Sequence, residues 1–565
     1  MLWATTTAIA GAPIPVSFTD VSVQAGLFDP NWPTNGPVGP FDPPGAQAAD
    51  VNGDGWVDIF VPLEVAGEPD RLFINNGDGT FTESAAAWGI ADTNLTRSAL
   101  FFDYDNDGFL DLVLANKQPT TTDHVLRLFH HRPNQAFFDD VTSGSGLDFL
   151  LPIPDGEPTG MAAGDLDDDG FLDLIVGALT GGPDGGTDVC LRNQGDGTFQ
   201  EARQALGVPA GTSNTWQAHF ADFDLDGRID LWMNQDTITV TRLYRNVVPW
   251  SVVDVAGAAG IHLGTDMGIA VGDYDNDGDY DVFTADFTAG SCPYTGSLGA
   301  NRLFRNELVP SGALMFTDLA DTIGVGQGGI AWGCTFFDYD NDAWQDLAIA
   351  SDTCNSRLFH NLAGASFDPV GPSVGFDPQV KSGGLMALDY DRDGDRDLLL
   401  ISRNIPPRLY RNDGGNANHW LLVDPVFAIG NRQAIGAQVR LTVGGMTLLR
   451  HISAGTSFKS QEPDEAHFGL AQATQADNVH ILWPDNSWED HPAVAADQFV
   501  TYTRVQGDFD WDGQVTAGPD LATFVSVLLG QTTTTNELLR ADMNFDGTVD
   551  SLDIAPFVSA VLAGP

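Results

Sequence analysis

A chain of 565 residues with 78 Asp and Glu against 25 Lys and Arg carries a formal net charge of −53. That excludes nucleic acid, whose binding needs a basic footprint, and disfavours anionic membranes. The 42% hydrophobic fraction supplies ample core-forming residues, and no stretch reaches the roughly 20 apolar residues of a spanning helix.

In chain order, residues 1–13 read as a partial leader: Ala10-Gly-Ala12 suits a cleavage site, but no basic residue opens the chain. Phe18-Thr-Asp-Val21 with Gly26-Leu27 then forms a strand and turn with no loop of its own. The dominant pattern begins at Asp50. Asp50, Asn52, Asp54 and Asp58 stand at positions 1, 3, 5 and 9 of a nine-residue loop, with Trp56 at position 7. It returns as Asp103, Asp105, Asp107, Phe109 and Asp111, and as Asp165, Asp167, Asp169, Phe171 and Asp173. Asp222, Asp224, Asp226, Arg228 and Asp230 follow, then Asp273, Asp275, Asp277, Asp279 and Asp281. The last two copies are Asp338, Asp340, Asp342, Trp344, Asp346 and Asp389, Asp391, Asp393, Asp395, Asp397.

Side-chain oxygens at 1, 3, 5 and 9, with the carbonyl at 7, supply about six ligands for a hard cation, and Gly at 6 permits the sharp bend. A single copy would equally suit a solvated acidic turn. Seven copies in register crowd mutually repelling carboxylates, which a cation relieves. About seven calcium ions are therefore expected. Asn52 lowers the charge of the first loop, and Ala343 in place of glycine predicts strain in the sixth.

First positions recur at spacings of 53, 62, 57, 51, 65 and 51 residues, the range of a four-stranded propeller blade. Small residues precede the loops (Gly160 to Gly164, Gly268 to Gly272), and an apolar strand follows each. Next come Arg-Leu-Phe/Tyr (Arg71, Arg242, Arg302, Arg408) and a closing Phe-x-Asp-Val-like strand with a Gly-hydrophobic pair, such as Phe316 to Leu319 and Gly324-Val325. The seventh unit lacks that closing strand, and Phe18 to Val21 is a closing strand without a unit. Joining the two predicts a mainly β fold whose residues 14–415 form a seven-bladed propeller, the last blade built from both ends.

These motifs resemble the FG-GAP/VCBS repeats of integrin-α-type propellers. The resemblance implies an extracellular or cell-surface propeller used in adhesion or recognition of a protein or glycan ligand. The ligand surface would lie opposite the calcium loops, where Phe28 to Gly45 with Trp32, Asp148 to Thr159 and Gly211 to Trp216 converge; both tryptophans suit either ligand stacking or loop anchoring.

Residues 416–505 read as a small β domain. Asn418-His-Trp-Leu421, Asn431 to Val439, Gly455 to Gln461 and His467-Phe-Gly-Leu470 resemble the ASPIC/UnbV module of cartilage-acidic-protein-like proteins. Arg432, Lys459 and His467 are either a polar site or paired surface or core groups. Residues 506–565 carry two more calcium signatures: Asp508, Asp510, Asp512, Gln514 and Asp520, whose last acid falls at position 13, and Asp542, Asn544, Asp546, Thr548 and Asp553. With an apolar helical stretch after each, Leu521 to Leu529 and Ile554 to Leu562, they resemble a small α-helical, EF-hand-like type I dockerin. That implies up to two further calcium ions and a docking partner. Ala517-Gly518 and Ser551-Leu552 replace the usual Ser-Thr pair, which argues against a cellulosomal cohesin.

Cys190, Cys292, Cys334 and Cys354 lack metal spacing; one disulfide among the last three is expected, with Cys190 unpaired. No nucleophile elbow, zinc helix or phosphate loop occurs, so a monomeric, non-catalytic binding protein is expected. The alternatives are a polysaccharide lyase or hydrolase working at the propeller channel, and an envelope component anchored through the tail.

Overall fold

The computed structural model describes residues 14–33, 43–65, 67–117, 125–147, 157–179, 187–209, 214–236, 241–261, 264–287, 301–326, 329–428, 430–509, 514–531, 534–543 and 548–563. Of the expectations above, the leader (1–13), Cys292, parts of the far-face loops, and Asp510, Asp512, Asn544 and Asp546 fall outside them.

Short apolar runs, buried along nearly their whole length in the two inner strands and often separated from the outer ones by Asp-Gly turns, yield four-stranded antiparallel sheets. The first blade pairs Gln47–Ala49, Asp58–Val61, Arg71–Asn75 and Phe81–Glu83 in that order. Five further blades repeat the order, with inner strands Thr96–Phe102, Glu157–Gly164, Thr215–Ala221, Asp266–Gly272 and Ala331–Phe337. The seventh runs Ser382–Leu388, Asp397–Ser402 and Arg408–Asp413, and its outer strand is Ser17–Asp20 from the other end of the chain. Phe18 pairs with Asn412 there. The ring thus closes as the unpaired strand predicted.

One apolar cluster fills each gap between neighbouring blades. Ala48, Ile59 and Val61 of the first meet Met386, Leu399 and Leu409 of the seventh. Phe18, Leu385 and Leu398 of the seventh join Phe337, Ala348 and Leu358 of the sixth. The Gly-hydrophobic pairs end short helical turns: Gly324, at φ 95°, caps Ala320–Ile323 while Val325 is fully buried.

Residues His419–Arg504 form a β-sandwich. One sheet orders Ala466–Ala471, His419–Phe427 and Gln498–Arg504, the last pair parallel. The other orders Met446–His451, Gln438–Val443, Gln475–Leu482 and Trp488–Ala495. The tail holds helices Pro519–Leu528, Thr535–Ala541 and Ile554–Ala563 around stacked Phe524 and Phe557, centroids 4.0 Å apart. The middle helix was not foreseen from its polar run. Arg540 on it pairs with Glu489 of the sandwich at 2.6 Å. Cys354 is disulfide-bonded, and Cys190 and Cys334 are free and buried.

Candidate calcium loops and the axial finger

Each propeller loop joins the end of an inner strand to the start of the next, so all seven loops share one face. Their frames are the same. The closing aspartate (Asp58, Asp111, Asp173, Asp230, Asp281, Asp346 or Asp397) is fully buried. It accepts the amide of the loop's second residue at 3.0–3.2 Å. It also accepts an amide of the third strand at 2.7–2.9 Å. The first aspartate accepts the amides of positions 5 and 6 at 2.7–3.1 Å. The amide of position 7 donates to the carboxylate of position 5. Backbone donors thus orient the aspartates at positions 1, 5 and 9 of every loop.

Positions 4 and 6 are left-handed in every loop, with φ of 54–71° and 80–98°. Ala343, at φ 80°, carries the strain its sequence predicts, at about 1–2 kcal/mol for a non-glycine residue. Its buried methyl packs in a cluster shared with Leu421 and Phe468 of the sandwich, which offsets part of that cost.

The donor set fits a hard cation. Carboxylate oxygens of Asp103, Asp105 and Asp107, and of Asp165, Asp167 and Asp173, lie within 4.8 Å of one another, as do those of Asp222, Asp224 and Asp230. At position 3, Oδ1 of Asp275, Asp340 and Asp391 is buried without a hydrogen-bond donor. Each closing oxygen that holds one amide keeps a second lone pair for an ion. Burial first, opposed by amide donors and reinforced by neighbouring carboxylates, pushes Asp58 and Asp165 up to about 8; burial and Asp111 do the same for Asp103. A bound divalent cation would hold all of them ionised.

Two features of these loops escape a reading of the loops alone. A basic residue on the third strand leans over several of them: Arg245 reaches Asp224 and lies 2.9 Å from Asp226, and His130 Nδ1 lies 3.2 Å from Asp111 and 3.4 Å from Asp105. The next residue is an asparagine that ties each blade to its neighbour's loop. Asn75 donates to the carbonyl of Tyr390, Asn193 to Tyr104, Asn246 to Leu166, Asn306 to Phe223, Asn361 to Tyr274 and Asn412 to Tyr339, at 2.7–3.0 Å. The recurring Asn after Arg-Leu-Phe-x was the available signal. In the second blade His131 stands there instead, stacked on Phe138.

The sandwich docks on this acidic face. Gln438 donates to Asp222 Oδ2 at 3.0 Å, the Ala471 amide to the Asn341 carbonyl at 2.8 Å, and Asn418 to the Asp340 carbonyl at 2.8 Å. From it a finger, residues 454–462, runs down the propeller axis and bonds to the inner strand of every blade. Ala48 and Ala46 pair with the Gln461 backbone; Phe101 exchanges two bonds with the Gln461 side-chain amide. The Ala163 amide donates to Ala454 and Ile269 pairs with Ser457; Cys334 donates to Ser457 Oγ and Ala387 to Glu462. Gln217 of the fourth blade accepts from Lys459. Inner strands have one edge facing the axis, and the finger satisfies those edges. Small residues on some inner strands make room: a Cβ on Gly268 would lie 2.0 Å from the Trp332 carbonyl of the next blade and 2.9 Å from the Ser457 carbonyl of the finger.

The sequence-proposed trio of Arg432, Lys459 and His467 does not assemble. Arg432 lies against Gly108 of the second loop, His467 Nε2 sits 3.3 Å from the Gly394 carbonyl, and Lys459 is at the far end of the channel. Lys459 and His467 are buried within the fold, whereas Arg432 is exposed. Trp32 and Trp216 are 7% and 8% exposed; Trp216 packs on Trp332 and Phe458, so both anchor structure rather than present free faces. In the tail, Asp520 accepts amides of Phe509 and Thr516 at 2.8 Å, and Asp553 those of Met543 and Asp550 at 2.7 Å. The same second and ninth positions are held, so the extra residue before Asp520 is absorbed without changing the frame.

Comparison with known proteins matches this architecture. The FG-GAP-like repeat model covers residues 50–114, 103–176, 165–233 and 338–400; the ASPIC and UnbV model covers 428–508; the dockerin type I model covers 506–559. Cartilage acidic protein 1 of Homo sapiens is 28% identical over 258 residues, 43% of this chain and 37% of that protein, and the Mus musculus protein matches at the same identity. The aligned region spans less than two fifths of those relatives' length. An Agrocybe aegerita lectin described as recognising non-reducing terminal N-acetylglucosamine aligns at 17% identity and TM-score 0.36, over 58% of this chain and 80% of the lectin, too distant to inform fold or ligand. The chain carries FG-GAP-like repeats, an ASPIC and UnbV segment and a dockerin type I segment, in that order.

Proposed function

We propose that this chain is a monomeric, extracellular or cell-surface calcium-binding recognition protein whose propeller binds a protein or glycan ligand without catalysis. FG-GAP repeats and dockerin modules occur typically in extracellular binding and adhesion proteins. One observation carries the reading: seven acidic loops of one hydrogen-bonded frame whose backbone donors orient carboxylates, while buried position-3 oxygens of Asp275, Asp340 and Asp391 go without a donor. Calcium, about one ion per propeller loop and up to two in the tail, is the cation such oxygen sets take.

Lyase or hydrolase chemistry at the channel is the less favoured alternative. The finger fills the axis, and the cavity beside it, about 90 Å³ and lined by His219, Arg396, Arg450, His451 and Glu462, has room for a few waters. The tail favours docking to a partner. Leu521, Val525 and Leu529 on one helix and Ile554, Val558 and Leu562 on another are 39–79% exposed at four-residue spacing, two matching apolar stripes.

Elemental analysis of the full chain should find about nine calcium ions, and glycan or protein arrays probed with and without chelator should show calcium-dependent capture. Metal-free purified protein would end the calcium reading. New reducing ends or unsaturated uronates released from a captured polysaccharide would replace recognition by catalysis.

A further inference from the structure

One register on the third strands, just before the blade-tying asparagine or His131, separates the loops into two kinds. From the first blade to the seventh it reads Ile74, His130, Arg192, Arg245, Arg305, His360 and Arg411. Arginine there neutralises: Arg192 pairs with Asp167, and Arg245 with Asp224. A guanidinium has no lone pair to give a metal ion, whereas a neutral imidazole has one. The second and sixth loops thus have beside them a nitrogen donor that the other five lack.

Both imidazoles converge on the acids at positions 3 and 9. His360 Nδ1 lies 3.1 Å from Asp346 Oδ1 and 3.9 Å from Asp340 Oδ2. His130 Nδ1 lies 3.2 Å from Asp111 Oδ1 and 3.4 Å from Asp105 Oδ2. In each trio a ring nitrogen and one oxygen from each carboxylate lie within 4.8 Å of one another, close enough to share one ion. Two of the atoms have no hydrogen-bond partner. Asp340 is 5% exposed and its Oδ1 is buried without a donor. His130 Nδ1 is buried and makes no hydrogen bond, so donation to Asp111 does not explain their closeness. Tyr104 and Tyr339, at the second position of the same loops, set the two rings edge to face with centroids 6.1 and 5.8 Å away.

We propose that the second and sixth loops are mixed nitrogen–oxygen sites for a borderline transition-metal dication of the zinc class, held by His130, Asp105 and Asp111 and by His360, Asp340 and Asp346. The proposal rests on the reading of the loops as cation sites and divides them by metal. Calcium draws its ligands from oxygen and gains little from an imidazole. Zinc takes imidazole and carboxylate together. Calcium as the sole dication fills all seven loops; zinc displaces it from these two and leaves the five without histidine.

The test titrates the calcium-loaded full chain with zinc chloride at a fixed excess of calcium. Two zinc ions should enter and two calcium ions leave per chain, read by elemental analysis after gel filtration. X-ray absorption at the zinc edge should show one imidazole per zinc. His130→Gln with His360→Gln should weaken zinc binding at least about tenfold while the total calcium content stays that of the parent without zinc. If that pair lowers the melting temperature, His130→Arg with His360→Arg, which installs the side chain four other blades carry at this register, should lose zinc likewise. Zinc uptake unchanged in the variants, zinc without an imidazole signature, or zinc displacing calcium equally from every loop overturns the proposal. Calcium retained with no zinc uptake removes these two sites and leaves the calcium reading standing, whereas a chain that holds neither ion removes both.

Discussion

Ser457 and Ile269 exchange two backbone hydrogen bonds, 2.8 and 2.9 Å long, at the centre of the propeller. They join the sandwich to the fifth blade as antiparallel strand partners. Because similar bonds reach all seven inner strands, the finger works as an axle: the β-sandwich and the ring share one buried polar core.

Gln461 is the sharpest test of the axle. Its side-chain amide meets both the amide and carbonyl of Phe101, at 2.8 and 2.9 Å, as a strand neighbour would. Gln461→Ala strands two buried backbone groups, a cost of about 2–4 kcal/mol. A lowered melting temperature with faster amide exchange along Thr96–Phe102 is expected. An unchanged melt would show the finger is not load-sharing.

Phe18 closes the ring. It is 5% exposed between the sixth and seventh blades, beside Tyr339 and Phe376. Phe18→Ala should cost about 3–5 kcal/mol in chemical denaturation, with calcium present throughout. Val23→Ala, at a residue 67% exposed, is the control and should change little.

Asn361 couples two loops. It donates to the carbonyls of Tyr274 and Gln345, both at 2.8 Å, and accepts from the Gly364 amide. Asn361→Ala should cost about 2 kcal/mol and weaken calcium at the fifth and sixth loops together, read by calorimetric titration. Loss of stability with unchanged calcium affinity would limit the asparagines to a packing role.

The chelated protein should lose stability as pH rises. Burial and neighbouring carboxylates raise Asp103 in the folded state to about 8, from an ordinary 3.8; Asp58 and Asp165, buried likewise, also reach about 8. Between those limits the folded chain holds more protons than the unfolded one, so this contribution is present below about pH 4 and fades as pH climbs toward 8. Melting in EDTA should therefore fall between pH 5 and 8, while added calcium, displacing those protons, should rescue most at pH 8. A flat EDTA profile would mean the loops hold their charges by other means.

Much of this protein is written locally. Asp, Asn and Gly at fixed offsets announce the acidic loops because a tight oxygen cage is made within nine residues, and a spare closing strand at Phe18 announces ring closure because β edges must be paired. The left-handed fourth position was less legible, since Leu225 and Arg392 occupy it as well as Gly53 and Asn106. What the linear order could not show were contacts between segments hundreds of residues apart. Gly455 to Gln461 carries no periodicity that points at a channel. Only packing of seven sheets around an axis creates the exposed inner edges that the finger satisfies.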